Sequence, residues 1–456
     1  MKPQHLCLAS LLAAACGASP GYRGSVGASP PAIESFTSEA STVFIGERTR
    51  LTAVFTGDSA SIDGIGPVQS GTPVTTPALA RATTFTLAVR RGEEQVEARV
   101  TVAATYRDRF RELAPSSVAR TQHVAVGLAD GGALVMGGNT SESPNVPDSD
   151  TSQRFDPHTE TLSAGPQLAF SAQADFTTAA PLDDGSILLV GGGINSSTTL
   201  GTDGDVASQV FDATARRFGR VGDLNLDHAA GVTATTLGDG SVLVAGGHLP
   251  ANPATERFDP ASGQWGLAGD MVVARRGHSA TRLADGRVLI VGGVTCCLAT
   301  GDFLTSTAEI YDPSTGGFHA TGSLATARAF QAAALLPDGR VLITGGVIDI
   351  NAATTASTEI YDPSTGRFSP GGDMQVGRES HFAIALTDGR VLVLGGVQAS
   401  PATDLFDPAA NRWSLGPALQ PAWAASTATL LASGKVFVFG GEDVQGFPVS
   451  TVILYE

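Results

Sequence analysis

The chain has 456 residues, a formal net charge of −16, 55 glycines, 25 prolines and 6% aromatic residues. That acidity works against capture of nucleic acid or an anionic lipid surface, and the turn-rich composition argues against a helical protein. Lysine occurs only as Lys2 and Lys435, which disfavours Schiff-base chemistry because Lys435 falls in a hairpin turn.

In chain order, residues 1–16 come first: Lys2, an apolar run from Leu6 to Ala15, then Cys16-Gly17. A charged start, a short apolar stretch and small residues before the break predict a secretory signal. Leu12-Ala-Ala-Ala-Cys16 resembles a bacterial lipobox, in which the cysteine is lipidated, although Ala13 stands where that motif has leucine. An ordinary signal peptide with a chance cysteine is the alternative. Residues 17–30, rich in glycine, serine, alanine and proline, read as a flexible tether. No later run approaches the roughly 18 apolar residues needed to cross a bilayer.

From 31 to 104 the period becomes two. Leu51, Ala53 and Phe55, then Phe85, Leu87 and Val89, then Val96, Ala98, Val100 and Val102 alternate with polar partners. Gly57-Asp58, Asp63-Gly64 and Arg91-Gly92 mark turns. The pattern predicts a small immunoglobulin-like β-sandwich without a disulfide, serving as a spacer.

Residues 107–456 are repetitive. Gly137-Gly138, Gly191-Gly192, Gly246-Gly247, Gly292-Gly293, Gly345-Gly346, Gly395-Gly396 and Gly440-Gly441 each close a short apolar run, at spacings of 45 to 55 residues. Each run follows a turn dipeptide: Asp-Gly six times, and finally Ser433-Gly434. Asp-Gly before a strand suggests a two-residue type I′ hairpin. In a full unit, strand a opens with Arg-x-x-His or Arg328-x-x-Gln331, and strand b ends in Gly-Gly. Strand c ends in an aromatic residue before Asp-Pro (Phe155, Phe258, Tyr311, Tyr361, Phe406), and strand d carries Phe218, Trp265, Phe318, Phe368 or Trp413. Val288–Val291 and Val391–Leu394 are apolar at every position, as a strand buried on both faces requires.

These residues resemble the kelch repeat, whose signature is a di-glycine after the second strand with spaced aromatics downstream. The resemblance covers roughly three-quarters of the chain at a period suited to four-stranded blades. The pattern is similar to the central domain of galactose oxidase and to bacterial kelch lipoproteins. It implies an all-β protein: a seven-bladed kelch β-propeller preceded by the immunoglobulin-like sandwich. The last repeat lacks a strand d, and Phe110 occupies the aromatic place in residues 107–114, so these are expected to complete the blade formed by 422–456.

Alternating strand direction puts the short a–b and c–d turns on one face and the long, varied b–c and d–a connections on the other. Variable loops on a rigid scaffold are where recognition is built. At that face, Arg120, Arg275, Arg328 and Arg378 open strand a, with His123, His278, Gln331 and His381 three residues on. Two readings stand: a polar funnel at a channel mouth that binds sugar hydroxyls or a carboxylate, or a framework element in which arginine bonds loop carbonyls. Cys296-Cys297, in one b–c loop, suits either a vicinal disulfide or free thiols. Asp148-x-Asp150 lacks the turn glycine of a calcium loop and reads as a solvated acidic segment.

The galactose-oxidase likeness implies a copper site of two tyrosines, two histidines and a cysteine joined to one tyrosine, partly supplied by a domain after the propeller. Tyr311, Tyr361 and Tyr455 close strands c on the opposite face, Tyr22 lies in the tether and Tyr106 in the joint. No cofactor, metal or catalytic residue is therefore expected. The expected function is an exported, lipid-anchored, monomeric envelope protein at the outer membrane or cell surface, or else periplasmic or secreted. Its propeller would bind a protein or polysaccharide ligand; the alternative is a carbohydrate-active enzyme, oxidase- or hydrolase-like.

Overall fold

In the computed structural model, residues 29–140, 150–170, 177–191, 207–226, 228, 231–247, 253–295, 303–349, 353–396, 400–443 and 445–456 are described. Cys16, Cys296, Cys297, Asp148, the signal segment and nearly all of the tether lie outside them. Among the described residues every regular element is a β-strand.

Residues 32–105 form a three-stranded sheet, ordered Ala32–Ser38, Arg50–Thr56, Val74–Thr75, and a five-stranded sheet containing Thr83–Arg91 and Glu94–Thr105. The alternating residues Leu51, Ala53, Phe85, Leu87 and Val89 are buried. The described residues fall into two compact units: one comprises residues 29–37, 51–74 and 85–100, and the other holds the remaining described residues.

The second unit is β-propeller-like. Its described residues form seven four-stranded antiparallel sheets, of which the fourth is representative: Ser279–Arg282 (a), Val288–Val291 (b), Ala308–Asp312 (c), Gly317–Ala320 (d). The seven a strands, Val124–Gly127, Thr178–Pro181, Thr233–Thr236, Ser279–Arg282, Ala332–Leu335, Phe382–Ala385 and Thr427–Leu430, pack each beside the next, and the last packs beside the first. They make the inner ring. All seven b strands are buried along their whole length. Their apolar side chains enter clusters that bridge neighbouring sheets, as where Val288 and Ile290 pack with Leu243 and Ala245 of the sheet before. In the seventh sheet the outer strand is Phe110–Glu112, paired with Val452–Tyr455.

The a–b turns differ from the expected type I′ form. That form needs two residues with positive φ, yet in the fourth sheet Gly286 has φ 90° while Asp285 is not left-handed. The Gly286 amide donates to Leu283 O at 3.0 Å and the Leu283 amide to Arg287 O at 2.7 Å. This is a type I turn followed by a left-handed glycine. Asp285 contributes its side chain, accepting the Arg287 amide at 3.1 Å.

The di-glycines stitch the sheets together. Gly293 N–H donates to Arg328 O of the next sheet at 2.8 Å, Gly346 to Arg378 O at 2.7 Å, and Gly441 of the last sheet to Arg120 O of the first at 2.8 Å. Gly292 has φ 64°, and a Cβ there would lie 2.6 Å from Arg328 O. Only glycine permits that approach.

Candidate functional site

The b–c/d–a face is built on a repeated buried latch. Arg275 Nη1 donates to Gly292 O at 2.7 Å, and its Nη2 to Glu309 Oε1 at 2.7 Å. Glu309 also accepts the amides of Val272 (2.6 Å) and Val273 (3.3 Å), tying the d–a connection to the sheet it enters. The fifth sheet repeats this with Arg328, Gly345 O and Glu359. In the sixth, Arg378 reaches Gly395 O at 3.0 Å but lies 3.7 Å from Asp404, whose side chain is one methylene shorter than glutamate; burial pushes the Asp404 carboxyl up. In the first, Arg120 bonds Gly137 O and Gln153.

The third position after each arginine turns into the seam between sheets. His123 Nε2 lies 2.7 Å from Thr427 Oγ1, His278 Nε2 2.9 Å from Thr233 Oγ1, and His381 Nε2 2.7 Å from Thr344 Oγ1. Gln331 Nε2 donates to Val291 O at 2.7 Å. Burial, aided by the adjacent arginine, holds all three imidazoles near a pKa of about 3, hence neutral. All eight residues singled out for the channel mouth, Arg120, His123, Arg275, His278, Arg328, Gln331, Arg378 and His381, are buried. They are brought together as sheet-to-sheet framework rather than as an open funnel.

Between each arginine and its histidine or glutamine lies a left-handed residue that sequence reasoning missed. Gln122, Gly277, Phe330 and Ser380 have φ of 51°, 61°, 55° and 50°; Ala425 of the seventh sheet (52°) and Gly231 of the third (79°) hold the same place. Three bonds run sideways along this row: Gly277 N to Gly231 O (2.9 Å), Phe330 N to Gly277 O (2.8 Å) and Ser380 N to Phe330 O (2.9 Å). The row forms a backbone collar at the start of the inner strands. No pattern of hydropathy encodes a φ angle, so the sequence carried no signal for it.

Beside the collar lie chemically usable groups. Phe330 and Leu304 pack against the buried cluster of Val294, Ala329 and Val347, while Phe303 and Ile348 on the b–c connections are exposed. Glu379, next to Ser380, is half-buried; burial raises its carboxyl above the ordinary range, and it has no cationic partner among the described residues. Thr121, Arg276, Ala329 and Ala424 hold the corresponding place in other sheets.

Among the described residues, the donors of a copper site do not come together. Tyr361 OH bonds Thr321 Oγ1 (2.8 Å), Tyr455 OH bonds Asp108 (2.5 Å) and Tyr106 OH bonds Gly434 O (2.5 Å), while Tyr311 is buried in an apolar cluster. The three histidines are engaged inside the seams, and no group of three or more His, Cys, Asp or Glu among the described residues could hold a metal. These residues do not fit the group.

No protein-family model matches the chain, and no curated protein matches it. Among solved structures it is similar to a fungal alcohol oxidase of the AA5 family in complex with copper, with a TM-score of 0.62 and 17% sequence identity over 76% of each chain. That likeness shows a galactose-oxidase-like β-rich fold. It also corrects the expectation of a protein- or polysaccharide-binding module: the similar structure is an enzyme, and the enzymatic alternative is the better supported.

Proposed function

We propose that the chain is a carbohydrate-active enzyme, oxidase-like in scaffold, reacting with a hydroxyl-rich substrate at the b–c/d–a face. The observation that carries this reading is the likeness of three-quarters of the chain to an alcohol oxidase. Within the face, Glu379 is the group suited to move a hydroxyl proton, because a carboxyl raised by burial works nearer neutral pH. Phe330 and Phe303 offer apolar surface for the carbon side of such a substrate. No step is assigned to copper.

The test is turnover by the full chain on primary alcohols and oligosaccharides, following peroxide and new reducing ends, with and without added copper. Turnover in either readout, lost in Glu379→Gln, is expected; no turnover under any condition overturns the reading.

The same reading takes the seven sheets as seven kelch-type blades closed by residues 107–114, with 31–104 an immunoglobulin-like domain. Deleting 107–114 should lower Tm by many degrees; a shift of only about a degree, within what surface changes produce, would overturn ring closure. Export with lipid attachment at Cys16 is part of the proposal, supported by the lipobox-like sequence, and is tested by the mass of the mature N-terminal peptide.

A further inference from the structure

The sixth sheet closes its latch with two groups fewer than its neighbours. In the fourth, Arg275 Nη2 donates to Thr307 Oγ1 (2.9 Å) as well as to Glu309, and its Nε donates to Val273 O (3.1 Å). The fifth repeats this with Ser357 Oγ, Glu359 and Thr326 O. The sixth has Ala402 where those sheets carry a hydroxyl, and Asp404 where they carry glutamate. Asp404 still accepts the Gln375 amide through Oδ1 at 2.8 Å. Its Oδ2, 3.7 Å from Arg378 Nη2, has no hydrogen-bond partner among the described residues, and neither has Arg378 Nε. Both side chains are out of solvent, exposed by 0% and 2%. Arg378 spends its other nitrogens on Gly395 O and Ala402 O, so Val376 O, the counterpart of Val273 O, takes no bond from it.

We propose that the sixth latch holds one internal water molecule, which accepts Arg378 Nε–H and donates to Asp404 Oδ2 and Val376 O. A buried donor and acceptor left bare forfeit the hydrogen bonds each had in solvent, and a polar interior site recovers them with ordered water. Three partners are the usual number for such a water. The hydroxyl and the methylene that this sheet lacks make the room for it. Between a guanidinium and a carboxylate neither a cation nor an anion gains, because each meets a like charge beside the opposite one. A neutral molecule that both donates and accepts suits the place. Burial pushes the Asp404 carboxyl up, in keeping with an acceptor short of donors. The connection that leads into Glu379 is thereby held partly through an exchangeable molecule, where its counterparts in the fourth and fifth sheets are held by protein alone. The site is independent of the activity proposed above.

The experiment is a crystal structure of the full chain at a resolution that shows ordered water, beside one of Asp404→Glu. The unmodified protein should show a single peak about 2.7–3.2 Å from Arg378 Nε, Asp404 Oδ2 and Val376 O. In Asp404→Glu the peak should be lost, with the longer carboxylate meeting Arg378 Nη2 directly, as Glu309 meets Arg275. The unmodified protein decides the matter alone where the variant does not fold. A bare gap, direct contact between Asp404 and the guanidinium, or a peak that refines as an ion overturns the proposal, as does a folded Asp404→Glu variant that keeps the peak.

Discussion

Arg275 and Glu309 form an ion pair at 2.7 Å with neither side chain reaching solvent. Burial alone would make this costly, and it is the additional acceptors and donors (Gly292 O, the Val272 and Val273 amides) that make the pair tolerable. Removing one partner strands the other's charge. Glu309→Ala or Arg275→Ala should therefore cost about 3–5 kcal/mol in urea unfolding, whereas Arg378→Ala, at the 3.7 Å pair with Asp404, should cost less.

A second prediction concerns acid. His123, His278 and His381 are held near a pKa of about 3 in the fold, against about 6.5 when unfolded. A depressed folded pKa means the unfolded chain binds the proton first. The contribution is fully present above pH ~6.5 and is lost as pH falls towards 3. Replacing all three with glutamine, the residue the fifth sheet already uses at Gln331, should flatten the decline of the unfolding midpoint across that window.

Tyr311 and Tyr361 hold equivalent places but fare differently. The Tyr361 hydroxyl meets Thr321 Oγ1 at 2.8 Å; the Tyr311 hydroxyl is buried without a partner, in a cluster that includes Ala268. Tyr361→Phe should cost about 1 kcal/mol, while Tyr311→Phe should be neutral or stabilising. Paired denaturation curves settle the comparison.

The collar is sterically tight at Gly277, where φ is 61° and a Cβ would stand 2.7 Å from the Phe330 ring. Gly277→Ala should destabilise by about 1–3 kcal/mol, combining left-handed strain with the displaced ring. Gly286→Ala, in a turn with no heavy atom nearby, should show the backbone part alone.

Much of this architecture was legible in the sequence because its cause is local or repetitive. Val288–Val291 reads as doubly buried from composition, and Gly292-Gly293 marks where the next sheet's backbone passes. The site was less legible. Arg275 finds Glu309 on a strand more than thirty residues away in sequence, a pairing no spacing rule predicts. The left-handed residue at Gly277 or Phe330 rotates the next side chain into the seam, so histidines that seemed to ring an opening became inter-sheet staples. Asp285-Gly286 indicated a hairpin correctly but not its geometry, because turn type depends on which residue carries positive φ.

Phe110 and Tyr455 pack across the seventh sheet with ring centroids 5.3 Å apart and their planes tilted by 53°, and their strands are joined through residues 345 apart in sequence, as in the Arg111–Glu456 bond. Six sheets can form from neighbouring segments as the polypeptide leaves the ribosome. The seventh must wait for Val452–Tyr455, leaving Phe110–Glu112 without its sheet partner until that strand has been made. Until Val452–Tyr455 emerges, the nascent chain therefore exposes two sheet flanks, one at each end of the row of sheets already formed. It is in that interval, not in the finished molecule, that its apolar b strands are most vulnerable to pairing with another chain.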